Sequence, residues 1–573
     1  MDHSYWNRIL GKRVSRRHAM AVTGSSAAAA AFLAACGSDG DDGGSTGGGT
    51  TGGTGAAVDP TSGKVGGKLI WQGYGDPGGG RELIKIRNGG VLNLAGLTHD
   101  GLLEFAYGQP KYPGIGDEVL PALAQALPEI SPDKLKVTFK MRPNVKWHNG
   151  KAFSAEDAKW TYDTLATAAE SAWKNDFNWI EKTEAPDPGT LVITTKYPNA
   201  DLLADIAFKG QPPIMERQHH ESGAAEQKFM GTGPFTDVEY SPPSLFRVAR
   251  NPNYHTSPYP YFNEIDRLGT SDSEKKVADI ISKQVHVTYW FPAEERERIK
   301  QQRKDLQIFQ YPRAGAGNVY IRNDVAPFND KRVRQALSMG YDRKILVNSV
   351  AAGEGAADQA LSHSGTAWEF RTTDKLKRKD LYELNVAEAK KLMSAAGVTL
   401  PLKVDLPSWN ATVIGQKFVD EIVLLTTQWR NNGLVDAKIL EETFGQFSPR
   451  STGNYDTLHW GPNTTSTIPN LGRAIRDKYY AGGTQPKAPS LNLNLVNNPT
   501  IDDLVTRQLG EFDRQKRIAI FRELEDVLSE EMVHTSGVTG SLTYMADPSI
   551  KNAQMPRDAY NGSTPWMKYW WFG

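Results

Sequence analysis

Leu120 to Leu165 reads LPALAQALPEISPDKLKVTFKMRPNVKWHNGKAFSAEDAKWTYDTL, and the fold follows from it. In the middle, Leu135, Val137, Phe139 and Met141 alternate with Lys136, Thr138, Lys140 and Arg142. A period of two makes this a half-buried strand. Pro143-Asn144 turns the chain, and Val145 and Trp147 restart the alternation as a second strand. Asn149-Gly150 suits a tight hairpin turn that needs positive φ. Ser154 then stands where a helix N-cap belongs, with Glu156 and Asp157 in the first turn to favour the helix dipole.

The order of these signals resembles the signature segment of the family 5 extracellular solute-binding proteins, the dipeptide, oligopeptide and nickel receptors of ABC importers. LPALAQAL and LKVTFKMRPNVKWHNGKAFSAEDA carry the resemblance over about forty residues. It continues through Leu97 to Tyr107, Gly231-Thr-Gly-Pro-Phe235, Arg250-Asn-Pro-Asn-Tyr254, Pro260 to Ile265, and Ala326 to Leu337. The family implies an α/β fold of the type II periplasmic-binding-protein kind, with two main lobes, a small extra domain and a hinge. On that pattern residues 1–36 are an export signal and 37–66 a linker. Lobe I takes 67–100, 231–313 and 536–573, the small domain 101–230, and lobe III 314–535. The crossing segments fall near Tyr311 to Tyr320 and His534 to Thr543.

Bulk properties exclude several alternatives. Lys+Arg and Asp+Glu both number 66 in 573 residues, so there is no electrostatic footprint for nucleic acid. The one cysteine, Cys36, rules out an intramolecular disulfide and Cys-rich metal sites. It closes a segment with Lys12, Arg13, Arg16 and Arg17 at its start and a weakly apolar run from Ala19 to Ala35. This reads as an export signal rather than a membrane span. Ser15-Arg16-Arg17 resembles a twin-arginine signal, although Ala19 replaces the bulky apolar residue that motif prefers. Leu33-Ala34-Ala35-Cys36 resembles a bacterial lipobox, which implies lipidation of Cys36 and an extracytoplasmic protein held at the cell membrane. The Gly/Ser/Thr-rich stretch after it has almost nothing to bury and reads as a tether.

Further along, Val333, Ala336, Leu337 and Gly340 share one helix face, and Asp342 caps the next helix. Arg332 and Arg334 read as solvated or structural. Asn385 opens a helix ending at Gly397. Leu402, Val404 and Leu406, then Phe418, Ile422, Leu425 and Trp429, then Val435, Ala437 and Ile439 read as strand, helix, strand. That unit implies a parallel pair with a right-handed crossover. Asp513 precedes the last long helix, and the aromatic tail from Pro565 to Gly573 reads as a packed end.

No catalytic spacing emerges. His219 and His220 are adjacent and cannot share a helix face as metal ligands, and no Gly-x-Ser-x-Gly elbow is present. The expectation is a protein without enzymatic activity, metal or cofactor. Tyr455 to Asn463 resembles the peptide receptors' segment in which an Asp three residues after Trp pairs with the ligand's α-amino group. Here Trp460 is kept and Asn463 takes the acid's place, and no Arg occurs from Leu402 to Gln416 to meet a ligand carboxylate. Trp460 and Asn463 are therefore candidate ligand contacts, with Trp409, Tyr74 and Trp71 behind them. The resemblance implies a monomer that captures a peptide-like or other small polar solute and delivers it to an ABC permease and ATPase. The reading from another class is a secreted, lipid-anchored glycan hydrolase, which needs two carboxylates about 5 to 9.5 Å apart. A third is a signalling or chaperone-like receptor on the same fold.

Overall fold

The computed structural model describes residues 62–73, 80–86, 88–106, 119–174, 176–207, 212–242, 244–270, 272–289, 293–312, 317–351, 353, 361, 371–411, 416–443, 446, 455–462, 471–480, 496–538, 541–553 and 565–573. The export signal, Cys36, nearly all of the tether, Tyr74 and Asn463 lie outside the described residues.

Two main sheets organise the molecule. The first has seven strands, in the order 307–312, 541–546, 287–289, 68–73, 264–269, 245–250 and 235–241. Strand Lys68–Gly73 lies at its centre, parallel to both neighbours, Glu264–Gly269 and Val287–Tyr289. The second has five strands, in the order 435–442, 402–409, 458–462, 317–321 and 534–536. Here strand Leu402–Trp409 is the one flanked by two parallel neighbours. The chain passes from the first sheet to the second between Pro312 and Gly317, and returns between Ser536 and Ser541.

The decisive stretch folds into a four-stranded sheet, in the order 129–130, 136–140, 190–195 and 180–187. Strand Lys136–Lys140 alternates as expected, with Val137 and Phe139 fully buried. Each such side chain contributes about 1.5–3 kcal/mol relative to exposure. The second strand expected at Val145 is reduced to an isolated bridge between Lys146 and Ala152. The turn claims the intervening residues: Trp147 N–H donates to Lys151 O, and Gly150 at φ +85° donates to Trp147 O. Helix Ala155–Thr167 starts where Ser154 N–H donates to the Asp157 carboxylate at 2.8 Å.

Leu97 and Thr98 are the last two residues of a helix over Gly89–Thr98, which Asn88 caps by accepting from Gly90 and Val91 N–H, and Leu103–Phe105 follows as a short strand. Gly231 and Gly233 serve close approach rather than positive φ. A Cβ on Gly233 would stand 2.5 Å from the Thr98 carbonyl carbon, and one on Gly231 would overlap the Thr98 oxygen. His148 fastens the same turn: Gly231 N–H donates to its Nδ1, so its Nε2–H donates to Gly233 O at 3.1 Å.

One apolar core covers a face of the first sheet and continues without a break into the small sheet, from Leu69 and Val287 to Phe139, Trp179 and Ile193. The tail residues Trp566, Met567, Tyr569 and Trp570 belong to it. The second sheet has its own core, including Val333, Leu337, Leu406, Ile422, Trp429 and Phe521. The first sheet and small sheet thus form one body, and the second sheet with its helices another. Arg334 is structural: buried, it donates to Phe328 O and Glu531 O. Arg332 pairs with Asp330 at the surface.

Candidate ligand-binding site

In an open α/β sheet, ligands bind beyond the carboxyl ends of strands, where the strand order reverses. Both sheets have such a point. In the first, the chain runs from Glu264–Gly269 through helix Ser273–Ile281 to Val287–Tyr289, stepping over the central strand. In the second, it runs from Val435–Glu442 to Leu458–Pro462, stepping over Leu402–Trp409. The carboxyl ends of the two central strands are therefore the places to look.

At the first, Trp71 stacks on Tyr289 with ring centroids 6.3 Å apart, and Tyr289 stacks on Tyr544 at 5.2 Å. These residues share one face, since Tyr289 pairs with Tyr544 and Trp71 with Val287, two residues before Tyr289. Trp71 also pairs with Arg267, whose guanidinium carbon lies 6.0 Å from the Trp71 ring centre. Gly73 leaves room for that guanidinium: a Cβ there would stand 2.9 Å from Arg267 Nε. Lys276, on the following helix, is pushed down to about 8 by burial first and then by the Arg267 charge, with Glu295 opposing. Gln72, fully buried, donates to Asp279 at 2.6 Å and fixes the last turn of that helix against the strand end. The result is an aromatic row with two cations beside it, in which Trp71, Tyr544, Arg267 and Lys276 are buried in this arrangement and Tyr289 is half-buried. Its chemistry suits a flat or apolar group joined to an anion.

At the second point, Trp409 ends its strand half-buried, in register with Glu442 at the end of the neighbouring strand. Trp460 is placed differently. It pairs with Ser408, so Trp460 and Trp409 point to opposite faces of the sheet. Trp460 has no exposed surface, and its indole N–H donates to Phe418 O at 3.2 Å. A Cβ on Gly317 would overlap its ring, and one on Gly537 would stand 2.9 Å from it. Gly537 N–H donates to Gly317 O at 2.7 Å, and the buried Glu421 carboxylate accepts the Val538 N–H. Trp460 thus lies under both crossings between the lobes, and in this arrangement it offers no face to a solute.

Of the five residues singled out from sequence, Trp71 lies two residues before the end of its strand, buried in the first sheet's core, Trp409 ends its strand half-buried, Trp460 lies beneath the crossings, and Tyr74 and Asn463 are outside the described residues. Sequence reading missed Arg267, Lys276, Tyr289, Tyr544 and Glu442. Their alternation was visible, but only strand register shows that Arg267 faces Trp71. On the second sheet's other face, Tyr320 stacks on His459 and Tyr479 on His534, with Lys478 Nζ 5.6 Å from the Tyr320 ring centre. His534 is held well below its ordinary value by burial and then by the Lys478 charge, so it stays neutral. Among the described residues no group of three or more His, Cys, Asp or Glu could hold a metal, and no helix is long and apolar enough to cross a membrane.

Residues 118–474 match the model of the bacterial extracellular solute-binding proteins, family 5 middle. The dipeptide-binding protein of Escherichia coli K12 is 23% identical over 483 residues, covering 77% of this chain and 84% of that protein. The E. coli murein peptide-binding protein MppA is 24% identical, covering 69% of this chain and 75% of that protein. Among solved structures, the periplasmic binding protein DppA of Helicobacter pylori, in complex with the peptide STSA, superimposes with a TM-score of 0.74 at 17% identity. It covers 89% of this chain and 98% of that one. AgaA of A. tumefaciens R10, in complex with agropinic acid, gives 0.74 at 18% identity, covering 88% and 99%. These named relatives are binding proteins, and the glycan-hydrolase reading finds no support among them. The match spans more than half of the chain, which therefore belongs to the family 5 bacterial extracellular solute-binding proteins.

Proposed function

We propose that this protein captures a small carboxylate-bearing solute between its two lobes and hands it to an ABC permease. The observation that carries the reading is Arg267, held against Gly73 and Trp71 at the switch point of the first sheet with Lys276 behind it. A solute's carboxylate would meet that charge, its flat or apolar part would lie on the row of Trp71, Tyr289 and Tyr544, and Trp409 would close over it from the other lobe. Peptides and agropinic acid, the ligands named for two structural neighbours, both fit a surface of this kind.

Calorimetry with matched pairs of free-acid and amidated peptides tests it. A charge-assisted hydrogen bond contributes roughly 1.5–3 kcal/mol, so amidation should weaken binding by about tenfold or more. Arg267→Gln should weaken the acid and leave the amide unchanged. Equal binding of acid and amide would overturn the assignment of Arg267. We further propose that Cys36 carries the lipid anchor after twin-arginine export, and that the monomeric domain works on the tether that follows. Wild type in the membrane fraction and Cys36→Ala in the soluble fraction would support that, and equal retention would refute it.

A further inference from the structure

The two bodies touch at a second place, away from the crossings. Arg517, on helix Arg514–Glu531 of the second body, places Nη2 2.7 Å from Asp201 Oδ1 of the small-sheet region. Both side chains are 3% exposed. Arg517 is prepared for this within its own body, where Nη2 donates to Gln508 Oε1 at 2.8 Å and the guanidinium lies over Phe521. Asp201 is prepared on the other side, its N–H donating to Asn199 Oδ1 just before helix Leu202–Ala207. Gly472 completes the fit: a Cβ there would stand 2.5 Å from Asp201 Oδ2 and would overlap both Arg517 and Gln508. Ala200 N–H donates across the same seam to Leu509 O at 2.8 Å. Arg476 reaches Tyr197, and Lys134 lies 4.3 Å from the Phe512 ring centre.

The small sheet shares one continuous core with the first sheet, so the two move together, while Arg517 sits on the helix that supplies Ile518, Phe521 and Leu524 to the other core. Any rotation about the crossings at 312–317 and 536–541 must therefore separate Asp201 from Arg517. We propose that this seam is a built-in latch on the closed arrangement, one that sets the open–closed balance without touching the solute. Removing one partner of a buried ion pair leaves the other charge buried and uncompensated. That penalty exists only while the seam is shut, because water solvates either group once the lobes part. Weakening the latch therefore opens the protein instead of unfolding it.

Hydrogen exchange of the full ligand-free chain reads the seam directly, through the Ala200 amide. Asp201→Asn and Gly472→Ala should each speed exchange of the peptide holding Ala200 by about tenfold or more, with the small-sheet strands 136–140 and 190–195 unchanged. Small-angle scattering of the same samples should show a larger radius of gyration, and the thermal midpoint of Asp201→Asn should hold. If Ala200 exchanges only together with those strands, or if both variants leave its exchange unchanged, the seam is a permanent structural contact and the latch is refuted. No solute enters this test, so its outcome is independent of whether Arg267 binds a carboxylate.

Discussion

The indole of Trp460 fills the space that a side chain on Gly317 would need. An ideal Cβ on Gly317 overlaps the ring, and one on Gly537 of the returning segment would stand 2.9 Å from the same ring. Both passages between the lobes are thus gauged against one rigid side chain. Gly317→Ala should force the ring or the crossing to shift, at a cost of about 1–3 kcal/mol. Gly317→Ala with Trp460→Phe should recover part of that loss, because the smaller ring returns room. Urea unfolding of the two variants checks this. Equal stability of wild type and Gly317→Ala would show that the crossing has slack.

A second prediction concerns acid. His99 is buried under the Gly231 turn, and burial first, then the neighbouring His148, pushes its imidazole down to about 3. The unfolded chain binds a proton at this residue below its ordinary value of about 6.5, whereas the folded chain does not. Stability from this group is therefore present above about 6.5 and is lost as pH falls toward 3, at about 1.4 kcal/mol per pH unit. Between pH 6.5 and 4.5 the loss should be about 2–3 kcal/mol, and His99→Gln should remove that share of the slope. Parallel urea titrations at the two pH values decide it, and an unchanged slope in the variant would exclude His99 as the source.

Binding should respond at the other end of the pH scale. Lys276 is pushed down to about 8, so it begins to lose its charge where most lysines remain protonated. A bound carboxylate stabilises the charged form. Affinity for a free-acid solute should therefore hold below about pH 8 and fall as pH rises above it, while an amidated solute shows no such trend. Lys276→Met should abolish the pH dependence while lowering affinity at neutral pH. Calorimetry at pH 7 and 9 reads both. A free-acid solute bound equally at the two values would remove Lys276 from the site.

Local chemistry made much of the fold legible. Ser154 with Asp157, Asn385 at its helix start, Gly433 at φ +67° and the apolar spacing of Phe418, Ile422 and Trp429 fix elements through neighbours in sequence. The parallel pairing of Leu402–Trp409 with Val435–Glu442 followed from that strand–helix–strand order. The site was less legible, because it depends on which strands become neighbours. Trp409 and Trp460 look equivalent as aromatic strand ends, yet the pairing of Ser408 with Trp460 turns them to opposite faces. Arg267 carries no motif, and its place opposite Trp71 exists only after two strands 196 positions apart meet in register. Gly231 and Gly233 stood out only through the family resemblance, which gave no sign of the passage of Thr98 beneath them.

The last prediction concerns the far end of the solute. On the sequence resemblance, we propose that Asn463 takes the place of the aspartate that in the peptide receptors pairs with the ligand's α-amino group. A carboxylate there would give an ammonium an anionic partner, whereas an amide offers only a neutral carbonyl and an NH₂. A buried ammonium facing an amide is poorly compensated, and an isolated buried charge costs far more than a neutral polar group. The solute should therefore pair a carboxylate, facing Arg267, with an end that carries no free amine. In calorimetry, an N-acetylated peptide should bind at least as tightly as its free-amine twin, and Asn463→Asp should shift preference toward the amine by about tenfold, the worth of one charge-assisted hydrogen bond. Tight binding of the free amine that is lost on acetylation would mean that an anion elsewhere takes that role. Glu442, in register with Trp409 at the neighbouring strand end, would be the first residue to substitute.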